Sequence, residues 1–436
     1  MRSLAEAESY LNCFVNRERQ AIFDYEALGL GRIRAILEAC GHPERELPTI
    51  HITGSKGKGS VALASEALLR AAGRRVGTYT SPHLSHWCER FRIDGCAVSG
   101  NALTQELAAL RPALDELVED PRLSPSFFDV TTALAFCLFR RARVEVAVVE
   151  VGLGGRLDST NVVDARTSVL TAVQLEHTDK LGNTLAQIAR EKAGIMRAQV
   201  PFVHGQLAPE ALSVVEQRAR ELAAPLVPVS FSLRAQAEAG IKIELADGRC
   251  VRAPVLGVHQ GQNLALAVAA VEAFEGRTLA ESELRCLESL EVPGRLERFG
   301  TSVLDAAHTP DSIRALVETL QAIWPQRRWR LVVSLSTDKP ALEILSILKP
   351  LASSLIVTAA EPTRSANPDA LARDARAAGF RDVSIDPDAR SALARARQGL
   401  PEKTGVLATG SLFLVGALRP TLVKSPSDDT NSEAHR

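Results

Sequence analysis

What this sequence lacks is the first guide to its class. Its longest apolar runs, such as ALAFCLF and VEVAVVEV, are far shorter than the roughly 20 residues that a membrane-spanning helix needs. The seven cysteines are scattered without a CxxC pair, which favours reduced thiols over a disulfide framework. The formal net charge of −1 gives no electrostatic reason to expect a nucleic acid or an acidic membrane as a partner.

The amino-acid composition is ordinary for globular domains. Apolar residues make up 46% and charged residues 24% of the 436 positions. At roughly 100–200 residues per domain, this length predicts two or three domains. The first residues, MRSLAEAESYLNCF, carry acids where a signal peptide would have an apolar core. We therefore expect a cytoplasmic protein.

Short β-branched runs alternate with helical patterns along most of the chain. The first series extends from LPTIHIT at 47–53 to the helical TLAQIAREKAGIM at 184–196, and a second series begins near Arg298. This alternation is typical of βαβ units and a mostly parallel sheet, so we predict an α/β fold. A proline and a glycine in VPGRLERFG, at 292–300, separate the two series.

We therefore predict a first domain at 1–296 and a second at 297–420. Residues 421–436 are poor in apolar side chains and are predicted to form a disordered tail.

The stretch GSKGKGS at 54–60 places three glycines, two lysines and two serines at a predicted strand-to-helix junction. Glycines let backbone N–H groups curl around phosphate oxygens, and the helix N-terminus adds partial positive charge. Lys58 would reach the β- and γ-phosphates, and Ser60 would face the metal or a phosphate. The alternative is a flexible surface turn, but this combination at this junction favours a nucleotide-binding P-loop.

Glu150 follows the apolar run VEVAVV, where a carboxylate could hold the Mg²⁺ of a nucleotide. The alternative is a chance acid at the end of a strand. The next residues, GLGGRLDSTN at 152–161, contain a G-x-G-G pattern that suggests a dinucleotide site. Such a site needs a helix to begin at the glycines, and polar residues predict a loop here instead.

Two more polar residues follow predicted strands of the same sheet. Ser81 ends RRVGTYTS, which places it at the sheet edge where ligands bind in open α/β sheets, although a turn or cap serine is the alternative. His177 follows TSVLTAVQ, and taken alone a histidine there is more often structural. Together with Glu150 and the P-loop at the same edge, His177 becomes a candidate metal ligand.

The helix that follows places a lysine on an apolar stripe. Leu185, Ile188, Lys192 and Ile195 have the spacing of one helical face. Burial lowers the pKa of a lysine and favours the neutral amine. The alternative is a lysine that snorkels to solvent or pairs with a carboxylate.

Taken together, these segments resemble the folylpolyglutamate synthase/dihydrofolate synthase family of Mur-type amide ligases. The matching segments occur in family order from about Gly29 to Gly416: GSKGKGS, YTSPHLSHWCERFRIDG, FFDVTTALAF, VEVGLGGRLDSTN, EHTDKLGNTLAQIAREKAGI, HQGQN, PGRLE, LDAAHTPDS and TGSLFLVG. The resemblance implies a P-loop ATPase domain followed by a smaller Rossmann-like domain. It also implies ATP-dependent addition of L-glutamate to a folate through an acyl phosphate, with dihydropteroate as a second acceptor.

The resemblance further implies ATP and two Mg²⁺ ions as cofactors, with K⁺ as an optional cation, and a role for each motif residue. The implied ATP-binding residues are Gly57, Lys58, Gly59, Ser60, Asn263, Arg295 and Asp305. One Mg²⁺ would be held by Ser81 and Glu150, and the second by His177 and a carbamate on Lys192. The implied catalytic residues are Lys58, His177, Lys192 and His308. The pterin would contact Leu28, Gly29, Leu30, Phe127, Phe128, Asp129, Leu157, Asp158 and Ser159.

Three positions depart from the family pattern without removing an implied ligand. Glu176 stands where aspartate is usual, and its extra methylene could shift a hydrogen bond near the metal. Lys56 and Thr309 stand where asparagine is common. These departures affect the prediction of the substrate more than the prediction of the ligation chemistry.

Two other functions stay open. The chain could be a Mur-type ligase for a non-folate carboxylate, or a nucleotide-gated module without catalysis. Such a module needs only one Mg²⁺ site, so the combination of Glu150, His177 and Lys192 favours a ligase. We expect a monomer whose substrates are L-glutamate and a folate or dihydropteroate.

Overall fold

The computed structural model describes residues 1, 3–16, 25, 28–361 and 364–423. The chain divides into two compact units, each built from more than one stretch of sequence. The first unit comprises Met1–Ala235, Lys242–Pro254 and His259–Leu290. The second unit comprises Gln236–Ile241, Val255–Val258 and the chain from Glu291 onward. Most of the predicted tail, from 424 to 436, lies outside the described residues, and Arg419–Thr421 forms a short 3₁₀ helix.

Helices and strands alternate through residue 290. The helices are α1 (Leu4–Leu11), α2 (Gly31–Ala39), α3 (Lys58–Ala71), α4 (Gly100–Val118), α5 (Phe127–Arg141), α6 (Thr178–Leu181), α7 (Leu185–Ala193), α8 (Pro209–Leu222), α9 (Val258–Glu275) and α10 (Glu281–Leu284). The strands are β1 (Thr49–Thr53), β2 (Val76–Tyr79), β3 (Phe91–Ile93), β4 (Cys96–Ala97), β5 (Val146–Glu150), β6 (Ala165–Leu170), β7 (Phe202–His204), β8 (Leu226–Pro228), β9 (Phe231–Ala237), β10 (Gly240–Leu245) and β11 (Cys250–Ala253).

The described part of the first unit contains an eight-stranded sheet of order β4-β3-β2-β5-β1-β6-β7-β8. The six strands from β2 to β8 along this order are parallel, and β3 and β4 are antiparallel additions at one side. The carboxyl ends of β2, β5, β1 and β6 therefore meet at one edge. The remaining strands form a separate three-stranded sheet of order β11-β10-β9.

The central strands are buried because helices cover both of their faces. Strands β1 and β5 are buried at every position, as expected of a parallel sheet enclosed by crossover helices. Helix α5 is also buried along most of its length, and its Phe139 ring lies where a Cβ at Gly77 of β2 would stand. This close contact fixes α5 on the sheet, and with it the polar residues at the start of the helix.

The second unit repeats the α/β alternation on a smaller scale. Its helices are α11 (Pro310–Ile323), α12 (Ala341–Leu348), α13 (Pro368–Ala377), α14 (Ala389–Arg397) and α15 (Leu412–Leu418). Its strands are β12 (Glu297–Phe299), β13 (Ser302–Leu304), β14 (Arg328–Val333), β15 (Ala352–Ala359), β16 (Val383–Asp388) and β17 (Thr404–Thr409). The strand order is β12-β13-β17-β14-β15-β16, and only β12 is antiparallel among the described strands. The predicted α/β fold with parallel-rich sheets is confirmed.

Within the residues that the structure describes, no helix is both long enough and apolar enough to cross a membrane.

Candidate active site

The loop between β1 and α3 carries the predicted phosphate-binding residues. Gly57 has φ 86° and precedes α3, which begins at Lys58, within the predicted strand-to-helix junction. A Cβ at Gly57 would overlap the side chain of Asn263, so this left-handed position requires glycine. Lys58 Nζ donates to the carbonyl oxygen of Gly54 at 2.9 Å. The backbone N–H groups in the first turn of α3 have no acceptors within the helix, and they lie beside a lysine. This combination is suited to binding a phosphate.

Glu150 lies at the same edge, next to this loop. It ends β5 opposite Ile52 of β1 and is buried. The backbone N–H of Ser81, after β2, donates to Glu150 Oε2 at 3.1 Å, and a Cβ at Gly59 would lie 3.5 Å from the same oxygen. The structure thus brings Ser81, Glu150 and the P-loop together.

Three lysines surround the carboxylate of Glu176. Lys56 Nζ lies 3.1 Å from Glu176 Oε2, and Lys192 Nζ lies 3.8 Å from Glu176 Oε1. Lys58 also acts electrostatically on this carboxylate. Burial raises the pKa of Glu176, but the lysines outweigh this effect and hold the pKa below its usual value. No spacing in the sequence predicts the pairing of Lys56 with Glu176.

Lys192 is buried, as the apolar stripe predicts, with only 2% of its side chain exposed. Helix α7 ends at Ala193, so Ile195 of the predicted stripe lies just beyond the helix. Burial, reinforced by the charge of Lys58, lowers the pKa of Lys192 to about 7. A substantial fraction of this amine is therefore neutral near pH 7.

His177 lies after β6, in a turn that the sequence did not predict to lead into a helix. Its φ of 49° is left-handed, and the short helix α6 starts at the next residue. Burial lowers the pKa of His177 to about 4, and neighbouring lysines contribute in the same direction. The imidazole is therefore neutral at pH 7 and retains a lone pair for a metal ion.

The predicted pterin-binding residues come together from two segments. The Phe128 ring lies close to Gly152, which begins the loop after β5. Asp129 accepts hydrogen bonds from the Ser126 backbone at 2.9 Å and from Ser159 Oγ at 2.7 Å. Phe127 is buried beside these residues at the start of α5. The start of α5 and the loop at 152–160 thus contact each other.

Residues 28–30, which are also predicted to contact the pterin, are less tightly enclosed. Leu28 packs with Leu157 against a small cluster that includes Ile188 of α7. Leu30 packs against the core on the α5 side of the sheet, and Gly29 is exposed. These contacts place Leu28 near the loop of Leu157.

Asp158 mainly organises its own loop. Its carboxylate accepts hydrogen bonds from the backbone N–H groups of Leu153 at 2.9 Å and Thr160 at 3.0 Å, and from the Thr160 hydroxyl. Burial raises the pKa of Asp158 to about 6, although these hydrogen bonds oppose the increase. A direct contact between Asp158 and a pterin remains a prediction.

A polar network that the sequence did not reveal joins this loop to the end of α7. Asn161 Nδ2 donates to the carbonyl oxygens of Arg156 at 3.0 Å and Gly194 at 3.2 Å. Asn161 Oδ1 accepts from Arg197 Nη2 at 2.8 Å. The Arg156 guanidinium pairs with Glu191 at 3.0 Å, one residue before Lys192. The loop of Leu157 and Asp158 and the helix of Lys192 are therefore held together.

Replacing Asn161 with alanine is expected to lower the free energy of unfolding by about 1–3 kcal/mol, because two carbonyls and a guanidinium lose a half-buried partner. Urea unfolding of both proteins measures this difference. Asn101→Ala, on the exposed surface of α4, is the matched control and should change stability by less than about 0.5 kcal/mol. Equal stabilities for the two variants would show that the network contributes little.

The other candidate residues lie in the second unit, apart from Asn263, whose Nδ2 donates to Gln260 at 3.0 Å. Asp305 accepts from the backbone N–H groups of Leu296 and Ala307, both at 2.8 Å, and so fixes the turn that carries Arg295. His308 Nδ1 donates to the carbonyl oxygen of Ala306 at 2.8 Å, since a carbonyl can only accept. The second unit thus brings Arg295, Asp305 and His308 close together.

The residues at the first unit's sheet edge fit Mg²⁺. Among the described residues, no group of three or more histidine, cysteine, aspartate or glutamate side chains is arranged as a metal cluster. The implied site instead combines one buried carboxylate, Glu150, with serine hydroxyls, and these are hard oxygen donors. A neutral His177 and a Lys192 amine of lowered pKa fit the implied second site.

Comparison with known proteins identifies the class first. Residues 294–412 match the family described as "Mur ligase, glutamate ligase domain". The solved Mycobacterium tuberculosis folylpolyglutamate synthase, complexed with ADP and AMPPCP, is 33% identical, with a TM-score of 0.88 over 97% of this chain and 99% of that one. This protein is therefore a Mur-type α/β ligase.

Relatives of known name then identify the family. The dihydrofolate synthase/folylpolyglutamate synthase of Bacillus subtilis is 32% identical over 90% of this chain and 95% of its own length. That of M. tuberculosis is 35% identical, over 91% and 90%. A probable bifunctional folylpolyglutamate synthase/dihydropteroate synthase of Haloferax volcanii is 36% identical, but this chain spans only 49% of that relative. The chain belongs to the folylpolyglutamate synthase/dihydrofolate synthase family, and the predicted function as an ATP-dependent glutamate ligase is confirmed.

Proposed function

We propose that this enzyme joins L-glutamate to the carboxylate of a folate through an acyl phosphate, and that dihydropteroate is a second acceptor. The observation that carries the proposal is the arrangement of the P-loop, Glu150 and the buried Lys192 at one sheet edge of the first unit. A nucleotide-gated module would need the P-loop and one Mg²⁺ site, but it would not need a buried lysine of lowered pKa beside them.

The first step makes the carboxylate reactive. A carboxylate oxygen of the acceptor attacks the γ-phosphorus of ATP, and the bond between that phosphorus and the β,γ-bridging oxygen breaks. ADP leaves, and the product is an acyl phosphate whose leaving group is phosphate instead of oxide. Lys58 and the first turn of α3 would bind the phosphates and offset their charge during the transfer.

Two Mg²⁺ ions, when bound, would neutralise charge on the phosphate oxygens. We assign the first to Ser81 and Glu150, and the second to His177 and a carbamate on Lys192. The carbamate requires attack of a neutral amine on CO₂, and the lowered pKa of Lys192 supports this assignment. K⁺ is a further candidate cation at this edge.

The second step forms the amide. The neutral glutamate amine attacks the acyl carbon, the carbon–oxygen bond to phosphate breaks, and phosphate leaves with the original carboxylate oxygen while the nitrogen loses one proton. We assign a catalytic role to His308 in the second unit, where its Nδ1–H is already oriented by Ala306. Asn263, Arg295 and Asp305 are assigned to ATP. We propose that residues 1–296 bind ATP and the pterin, and that residues 297–420 form the glutamate ligase domain.

The names of the B. subtilis and M. tuberculosis relatives, each a dihydrofolate synthase/folylpolyglutamate synthase, support two acceptors. ADP release measured with glutamate plus dihydropteroate, and separately with glutamate plus tetrahydrofolate, tests this proposal. We expect continuous release over many turnovers with both acceptors, and no continuous release without glutamate or without acceptor. Release with neither would favour a Mur-type ligase with a non-folate acceptor, and release with only one would remove the second activity.

Glu150→Gln is expected to raise the Mg²⁺ concentration for half-maximal ADP release by at least about tenfold, because the cation loses its carboxylate ligand. Glu145→Gln is the matched control, since Glu145 is exposed just before the same strand. A Mg²⁺ titration of Glu150→Gln that overlays the wild-type curve would show that this acid is structural.

We further propose that the enzyme acts in the cytoplasm as a monomer. All seven cysteines are free in the structure, which suits a reducing compartment.

A further inference from the structure

Lys56 is a second lysine in the phosphate loop, and the mechanism above does not use it. Its ammonium group pairs with Glu176, and 35% of its side chain is exposed. It lies one residue before Gly57, so its side chain starts from the same loop as that of Lys58. The pairing with Glu176 shows that Lys56 reaches toward the carboxylate that also faces Lys192.

The charges around Glu176 do not balance. Lys56 and Lys58 are two lysines of one loop, and Glu176 is the carboxylate that Lys56 contacts, at 3.1 Å. A local excess of positive charge attracts anions, and the triphosphate group of a nucleotide carries several negative charges close together. Glu176 therefore competes with a bound polyphosphate for the ammonium group of Lys56.

We propose that Lys56 is a second phosphate-binding lysine, held by Glu176 when the loop is empty and transferred to the nucleotide polyphosphate when ATP binds. A lysine side chain can make this exchange because its ammonium group sits on a flexible four-carbon stem. The partial exposure of the ion pair also makes it weak, so that a multiply charged phosphate displaces the carboxylate. This inference rests on the proposed binding of ATP at the P-loop.

The test is the affinity for AMPPCP, measured by isothermal titration calorimetry in EDTA so that no metal ion contributes. Lys56→Gln is expected to weaken binding about tenfold, the loss of one charge-assisted hydrogen bond. Glu176→Gln is expected to bind as tightly as the wild type or more tightly, because Lys56 loses its competing partner. Lys242→Gln, which removes a half-buried lysine from β10, is the matched control and should leave the affinity unchanged.

The difference in AMPPCP affinity between the two site variants separates this proposal from a structural ion pair. If Lys56 only stabilises the fold through Glu176, both variants lower the melting temperature and Lys56→Gln binds AMPPCP like the wild type. That result overturns the inference and leaves the proposed function intact. A wild type that binds AMPPCP neither in EDTA nor with Mg²⁺ present would overturn both.

Discussion

Lys58→Ala is expected to lower kcat/KM for ATP by at least about 100-fold, the loss typical of removing one preorganised donor to developing charge. Lys58 is the lysine at the first position of α3, beside Gly57 and the N–H groups of the first turn. Without it, the charge that moves onto the β,γ-bridging oxygen of ATP during phosphoryl transfer loses the cation at the start of α3. ADP release at varied ATP concentration measures the effect.

The fold should tolerate this change, because the hydrogen bond from Lys58 to the Gly54 carbonyl is partly exposed and contributes only about 1 kcal/mol. Lys242→Ala is the charge-matched control and should keep wild-type kcat/KM. A loss smaller than about tenfold for Lys58→Ala, which is ~1.4 kcal/mol in the barrier, would contradict the assignment of this loop to ATP phosphates.

Lys192→Ala should also lower ADP release by about 100-fold, because the implied carbamate oxygens would be lost from the metal site. The buried position and lowered pKa of Lys192 are the observations behind this expectation. Small carboxylates such as acetate or formate should restore activity at least partly, by filling the vacated position with an oxygen ligand. ADP release with increasing acetate measures the rescue.

Lys192→Arg separates a carbamate from a buried cation. Arginine keeps the positive charge, cannot form the carbamate at neutral pH and fills the space that acetate would need. We therefore expect this variant to be inactive and not rescued. If arginine supports wild-type activity and acetate has no effect on Lys192→Ala, then Lys192 acts only as the cationic partner of Glu176.

The sequence predicts the fold, and the residues that lie at the carboxyl edge of the first sheet, because both follow from local patterns. Apolar strands and crossover helices alternate, so the carboxyl ends of β1, β2 and β5 have to meet. That geometry places the P-loop, Ser81 and Glu150 together. The burial of Lys192 also follows, because a stripe of apolar residues on one helical face has to point inward.

Contacts that depend on side-chain reach could not be predicted in the same way. Lys56 and Glu176 are separated by 120 positions, and both could have pointed into solvent. Asn161 appears in the sequence as an ordinary loop residue, and its carbonyl partners become visible only when the loop and α7 are packed together. The hydrogen bonds by which the Asp158 carboxylate holds its own loop could not be predicted either, and its contact with a pterin stays a prediction.

The most direct measurement of the central claim follows one oxygen atom. The acceptor that supports ADP release is labelled with ¹⁸O in its carboxylates. The inorganic phosphate that forms together with the new amide is then analysed by mass spectrometry. An acyl phosphate transfers one carboxylate oxygen to phosphorus, so we predict one ¹⁸O atom in each phosphate, in step with ADP and amide. Unlabelled phosphate formed at the same rate as the amide would contradict the mechanism.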